Sequence, residues 1–310
     1  MEIKTLQNFL IVAQEENITK AAEILHTTQP TLSRQIKALE DELGQKLFIR
    51  HSFNIELTEA GVFLRKQAED LLAMASKIYD GFHSMDDITG GDIYFGLAES
   101  YQVDFLADFI KEFKVDYPNL RYHITSGDTE QVIEKLDKGI LDFAAIVETP
   151  DLNKYNAVPF PEADKWTLIV PRDHPLAAKK YIVPEDLIDL PLFCSEQSWE
   201  NDIPRWAGDT FAKYHLEGSF RLAYNGSRFA KHGLGALLAF DRIVDTSETS
   251  GLISIPLKPE LTTPMYLVWK KQQVFSPIAQ RFITEFEQNM KRHGDTTRRH
   301  PFDALENVNG

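Results

Sequence analysis

The chain has 310 residues, 43% hydrophobic and 26% charged, the usage of an ordinary globular protein, and its length suits roughly two domains. No apolar run approaches the roughly 20 residues that cross a bilayer, which excludes a membrane-spanning helix. Its 33 basic and 47 acidic residues leave a net charge of −14, which repels nucleic acid at long range, and its one cysteine, Cys194, excludes an internal disulfide or a Cys-rich metal site.

Residues 1–89 hold 9 basic and 14 acidic side chains, so bulk charge argues against DNA there too, and any case for it has to come from local arrangement. The first residues, Met1 to Asn8, lack the basic segment, apolar core and cleavage site of a signal peptide, so a cytoplasmic location is expected. Leu6, Phe9, Leu10 and Ala13 line one face of a first helix, which Glu15-Glu16-Asn17 interrupts. Thr19 is positioned to cap a second, short helix that turns Ala22 and Leu25 inward. After the turn at His26-Thr27-Thr28, a third helix starts with Pro30 in its first turn, carries Leu32, Ile36, Leu39 and Leu43 as its apolar stripe, and ends at Gly44. Two short helices joined by a tight turn and braced by a first helix form a helix-turn-helix.

The third helix has an unusual charge pattern. From Ile24 to Leu39 there is no acid, although the protein is strongly acidic. The window offers Thr28, Gln29, Pro30, Thr31, Ser33, Arg34 and Lys37. Arg suits guanine, Gln suits adenine, and hydroxyls suit bases or phosphate. The plainer alternative is a solvated polar helix face. A second acid-free window, Leu43 to Ile55, contains Leu47–Arg50 and Ile55–Thr58 as two short strands, a β-wing that places Arg50 and Lys46 beside a DNA backbone. The same hairpin can equally serve to cover the helical core.

From Thr58 a longer helix follows, with Leu64, Ala68, Leu71, Ala75, Ile78, Phe82 and Met85 spaced alternately four and three residues apart. That is the a/d repeat of a coiled-coil seam, and its consequence is dimerisation, with two recognition helices reading an interrupted palindrome. The alternative is a helix packed within its own domain. Gly90-Gly91 marks a joint, after which the character changes to α/β. Strands are expected at 92–97, 120–125, 141–147, 166–170, 191–194, 220–223, 252–255 and 265–269, and helices near 102–116, 129–138, 200–214, 227–233 and 277–292. Breaks at Pro159, Pro161 and Asp164, and again at Thr262-Thr263-Pro264, suggest that the chain leaves one lobe, builds a second and returns. The polar end reads as a disordered tail.

The run from Ala21 to Glu40, with Leu43-Gly44, Leu47-Phe48, Arg50, Leu57-Thr58 and Ala60-Gly61, closely resembles the LysR-type transcriptional regulators. The motif fills residues 1–61, and Pro171–Ala177 and Gly233-Leu234-Gly235 resemble the family's effector domain. The resemblance implies an α/β protein. Its parts are an N-terminal winged helix-turn-helix (1–58), a long coiled-coil linker helix (59–89) and a two-lobe effector-binding domain like a type 2 periplasmic binding protein. Lobe 1 is expected at 90–162 and 265–293, lobe 2 at 163–264 and the tail at 294–310. It further implies double-stranded DNA and a small-molecule effector as partners, a homodimer extending to a homotetramer, and RNA polymerase as a candidate contact. Thr28, Gln29, Pro30, Ser33 and Arg34 would face the major groove and Arg50 the minor groove or backbone; Thr28 stands where the family usually has Ser, and Thr31 occupies a variable position.

In such folds ligands sit between the lobes, at strand C-termini and helix N-termini. This nominates Glu99, Ser100, Asp128, Thr129, Ile146, Cys194, Ser195 and Asn225 as effector-binding residues, with Ser100, Thr129 and Asn225 as donors. Cys194 also suits a small buried hydrophobe. Glu99, Asp128, Glu148 and Glu196 all fall at strand ends, which argues against a simple polyanion unless Arg221, Arg228, Lys231 or His232 point inward. No GxxxxGK[ST], HExxH or GxSxG pattern occurs, Gly233-Leu234-Gly235 lacks the third glycine of a dinucleotide fingerprint, and the histidines show no metal-binding pairing. Neither an enzyme, a cofactor nor a metal site is therefore expected. The competing class is a small-molecule binding protein or enzyme whose N-terminal helices only oligomerise.

Overall fold

The structure is a computed structural model and describes residues 1–51, 54–83 and 89–297. The chain divides into two compact units after His83.

The first unit runs α1 (Ile3–Glu15), α2 (Ile18–Ile24), α3 (Gln29–Leu43), β1 (Phe48–Arg50), β2 (Ile55–Leu57) and α4 (Glu59–His83). Leu6, Phe9, Val12, Ala21, Leu32, Ile36, Leu39 and Leu47 are each at most 1% exposed and form its core. Asn17, not Thr19, caps α2. Its extended backbone lets the carboxamide accept the amides of Thr19 and Lys20. α3 has Pro30 in its first turn and stops at Gly44, whose φ of 68° belongs to the left-handed region that glycine enters without strain.

The expected stripe of α3 fails at its last member. Leu43 is 40% exposed, and Glu40 is buried in its place. The Glu40 carboxylate accepts the amides of Leu47 (2.9 Å) and Phe48 (3.3 Å) and the Lys46 ammonium (2.8 Å), so it ties the helix to the wing. Burial pushes its pKa up, but these donors outweigh it and hold the carboxyl below its ordinary range. Glu40→Ala strands two buried amides and is expected to cost the N-terminal unit about 2 kcal/mol in urea unfolding. An unchanged midpoint would show that water replaces the carboxylate at no cost.

β1 and β2 pair antiparallel, Phe48 opposite Leu57 and Arg50 opposite Ile55. Where the wing meets α4, a Cβ on Gly61 would lie 2.2 Å from the Leu47 carbonyl oxygen, so this crossing admits glycine alone. Leu64 and Ala68, expected at a seam with a second chain, are instead buried in this unit's own core. α1 packs across the start of α4 and takes that part of the stripe. Leu71, Ile78 and Phe82 stay exposed, Ala75 is half-buried, and Met85 lies outside the described residues.

The second unit begins with β3 (Gly90–Leu97), α5 (Val103–Asp116), β4 (Asn119–Ser126), α6 (Thr129–Asp137), β5 (Phe143–Ile146) and β6 (Tyr155–Pro171). It continues with β7 (Pro191–Ser195), α7 (Glu196–Glu200), α8 (Asp202–Ala207), β8 (His215–Phe220), α9 (Ala223–Lys231) and β9 (Ala236–Phe240), and closes with β10 (Leu252–Pro256), β11 (Thr262–Lys270) and α10 (Pro277–Thr297). Strand order across the sheet is β4-β3-β5-β11-β6-β9-β7-β8, with β10 on β6. β3 is parallel to β4 and β5, and β7 is parallel to β8 and β9. These two parallel groups form two lobes, joined by the long antiparallel pair β6–β11.

Each lobe has its own core. Phe95, Phe143, Phe282 and Phe286 centre the first, which includes Phe160 and Met265; Trp166, Leu168, Cys194, Ile203 and Leu261 belong to the second. Pro159, Pro161 and Asp164 do not break the chain as expected, because β6 runs unbroken through all three. Over 155–165 the strand takes its ladder bonds from β11, while β9 and β10 join it only from Trp166 onward. Edge positions of that kind tolerate proline.

Other boundaries also shift. The strand expected at 220–223 is β8, ending at Phe220, and α9 starts at Ala223 rather than 227. The helix expected at 200–214 is α7, α8 and a three-ten turn over Gly208–Lys213, with Gly208 at φ 56° ending α8. α10 runs to Thr297, so 294–297 are helical rather than tail, and 298–310 lie outside the described residues. Among the described residues no helix is long and apolar enough to cross a membrane.

Candidate nucleic-acid interface and interlobe cleft

α3 presents its N-terminus and one face to solvent. Thr28, Gln29, Pro30, Arg34 and Lys37 are exposed, whereas Thr31 and Ser33 are half-buried. The Thr28 and Thr31 hydroxyls lie 2.8 Å apart. Arg34 donates Nε to the Pro30 carbonyl (3.2 Å), which orients the guanidinium along the helix face and uses one of its five donors. Arg50, on β1, donates to the Ser33 hydroxyl (3.3 Å), so the wing cation is held beside the helix. The structure therefore gathers all eight nominated residues on α3 and the adjoining strand. Gln35, on the same helix, accepts from Asn8 at 2.9 Å and is tied to α1.

Between the lobes of the second unit lies a cavity of about 840 Å³, lined by the first turn of α6 and the ends of β5, β7 and β8. A narrower compartment of about 60 Å³ shares Thr129, Ser195 and Arg221 with it and reaches Glu99, Trp166 and Phe240. Two contacts span the lobes here. Arg221 donates to Asp128 at 2.7 Å, and the Ala223 amide donates to the Glu99 carboxylate. Burial raises the Glu99 carboxyl above its ordinary range, partly offset by that amide. Burial also raises Glu148, as do the negative charges of Asp202 and Asp128, against a hydrogen bond from Gln197.

Of the eight nominated effector residues, Glu99, Asp128, Thr129, Ile146 and Ser195 line these spaces. The other three do not. Ser100 sits behind the wall, donating to the Asp164 carboxylate (2.6 and 2.9 Å) and accepting the Gln102 amide. Cys194 is fully buried in the second core, where desolvation pushes its thiol far up and keeps it inert. Asn225 is exposed within α9, not before it as expected. Arg221 is in the lining, unlike Arg228, Lys231 and His232.

Gln197, Ser198, Phe220 and Trp166 are cleft residues that sequence reasoning missed. One signal was available. Ser195 caps α7 by accepting the Ser198 amide, and a Ser directly after an apolar strand marks a helix start that brings Gln197 and Ser198 back to the wall. Among the described residues no cluster of three or more His, Cys, Asp or Glu could hold a metal.

A winged helix-turn-helix unit followed by a two-lobe α/β unit with an interlobe cleft is the architecture of a ligand-responsive DNA-binding regulator. Residues 3–62 match the family described as bacterial regulatory helix-turn-helix protein, lysR family, and residues 88–291 match the LysR substrate binding domain. The chain belongs to the LysR family of transcriptional regulators. It is 28% identical over 306 residues to the HTH-type transcriptional regulator YtlI of Bacillus subtilis, covering 94% of this chain and 96% of that one. It is 31% identical over 204 residues to AlsR of the same organism, covering 64% and 66%. Among solved structures, CbnR, a LysR family transcriptional regulator, aligns with TM-score 0.74 at 19% identity over 94% of this chain and 99% of its own. Full-length CbnR complexed with its target DNA gives 0.73 at 19% identity over 94% and 100%. Likeness at that identity shows the fold.

Proposed function

We propose that this LysR-type regulator reads bases with α3, through Arg34 and the residues Thr28 to Ser33, while Lys37 and Arg50 hold phosphate. The observation that carries the reading is the acid-free run from Ile24 to Leu39, with Gln29, Pro30, Arg34 and Lys37 of α3 exposed, on a chain of net charge −14. The same reading makes the interlobe cleft the effector site and α4 the dimer contact. The operator is then an interrupted palindrome, and the assembly extends to a tetramer. RNA polymerase is the natural further partner of a DNA-bound regulator, and the cytoplasm its compartment. On this reading the protein acts by binding and performs no chemical step. The rival reading, a binding protein or enzyme with an oligomerising module, leaves the charge pattern of α3 without a purpose.

Footprinting on the DNA upstream of the protein's own gene, against scrambled DNA, tests this. Arg34→Ala is expected to lose about 1–3 kcal/mol of discrimination at its base position. Lys37→Ala and Arg50→Ala should weaken both DNAs alike. An Arg34→Ala protein that keeps full sequence preference overturns the base-reading assignment.

A further inference from the structure

We infer that the ligand of the interlobe cleft carries a positive charge: an amine or guanidinium on a small apolar body. This rests on the reading of the cleft as the effector site and names the ligand class it takes.

The first observation is the charge of the wall. Asp128, Glu130, Glu148, Asp151, Glu196 and Glu200 line the larger cavity and Glu99 the narrower one, whereas Arg221 is the one cation among the described lining residues. Asp128 already engages Arg221 at 2.7 Å. A ligand carboxylate would be desolvated among these acids, with Arg221, already paired to Asp128, as its one counter-charge in the lining, which is costly. The N-terminus of α6 offers an anion little compensation, because the Asp128 side chain caps it by accepting the Gln131 amide. A cation instead favours the charged forms of Glu99 and Glu148, which burial disfavours.

The second observation is independent of charge. Thr129 lines both compartments and is 5% exposed, and its hydroxyl finds no hydrogen-bond partner among the described residues. Buried hydroxyls are nearly always paired, so this one is suited to a polar atom of a ligand. Ile133, Ile146 and Phe220 supply apolar wall for the ligand's body, and a volume of about 840 Å³ matches a small metabolite. The arrangement thus calls for a cationic group toward Glu148 in the larger cavity and one polar atom at Thr129.

Calorimetric titration of the full-length protein with agmatine, putrescine and phenethylamine, and with succinate and benzoate, decides the matter. At least one amine is expected to bind, with affinity about tenfold weaker in both Glu148→Gln and Thr129→Val. If none of the amines binds, or if a carboxylate binds as well as the best amine, the charge assignment is overturned. A carboxylate that binds and loses affinity in Thr129→Val leaves the cleft as the effector site and refutes only its proposed ligand class. Amine binding that neither substitution weakens refutes the cleft as the place of binding. Unchanged far-ultraviolet circular dichroism of each variant shows that affinity, not folding, is being compared.

Discussion

Replacing Ile78 by glutamate is expected to leave a folded monomer that binds a two-half-site operator about 10²–10⁴-fold more weakly than the parent protein. Leu71 (41% exposed), Ile78 (54%) and Phe82 (69%) recur at seven- and four-residue intervals along α4, so one helix face keeps large apolar side chains in water. On the proposed reading, a second copy of the same helix is the partner that hides this stripe. Leu64 and Ala68 are committed to the N-terminal core, so the seam proposed here starts at Leu71. A glutamate at Ile78 places a charge from each chain in the seam and leaves the buried residues untouched. Sedimentation reads the mass, and footprinting on one and two half-sites reads the lost avidity. A dimeric Ile78→Glu protein, or a monomeric parent, would remove α4 as the dimer contact.

The second large effect concerns Asp164, which is 0% exposed on β6 where the chain passes between the two cores. Desolvation raises its carboxyl from the ordinary 3.8 to about 6, against hydrogen bonds from the Ser100 hydroxyl and the Tyr101 amide that favour ionisation. The folded protein therefore holds this proton more tightly than the unfolded chain does. The stabilisation is fully present below about pH 4 and is lost as pH rises to about 6, a difference of about 3 kcal/mol. Asp164→Asn keeps the shape and an acceptor but never ionises. It is expected to be more stable than the parent at pH 8 by about 3 kcal/mol in urea unfolding, with the gain shrinking toward zero near pH 4. Glu99 and Glu148 also titrate with raised values, but they do so in both proteins and cancel in the comparison. Parallel stability profiles of the two proteins across this range would exclude Asp164 as the source.

Most of the N-terminal unit was legible because helical periodicity, proline in a first turn and a glycine stop act within a few residues of sequence. The error at Leu43 and Glu40 has a physical cause. Apolar spacing cannot register a carboxylate that is buried because two amides and an ammonium reach it from the next element. The strands of the second unit showed where both faces are buried, as in β5 and β9, whose residues are all buried. β8 was misplaced because it is an edge strand whose residues alternate between exposed and half-buried, so it carries little apolar signal. In the cleft, the strand ends were found but not always the side. Successive strand residues face opposite ways, so Ser195 meets the cavity while Cys194 enters the core. Asn225 was nominated as a residue preceding α9, and the earlier start of that helix puts it on an exposed turn.

The continuous pair β6–β11 sets how the second unit can respond to a ligand. Its lobes are joined by a hydrogen-bonded ribbon running from Tyr155 opposite Lys270 to Lys165 opposite Thr262, with a register shift between Pro264 and Tyr266. A ribbon of this kind behaves as a leaf spring: it twists by small increments shared over many residues, and wide opening would mean tearing ladder bonds. Between Pro264 and Tyr266 the ladder is locally disrupted, so a change of twist would meet least resistance there. On the proposed reading of the cleft, a ligand that pulled the lobes together would strain this ribbon, and its departure would let the cleft return to rest.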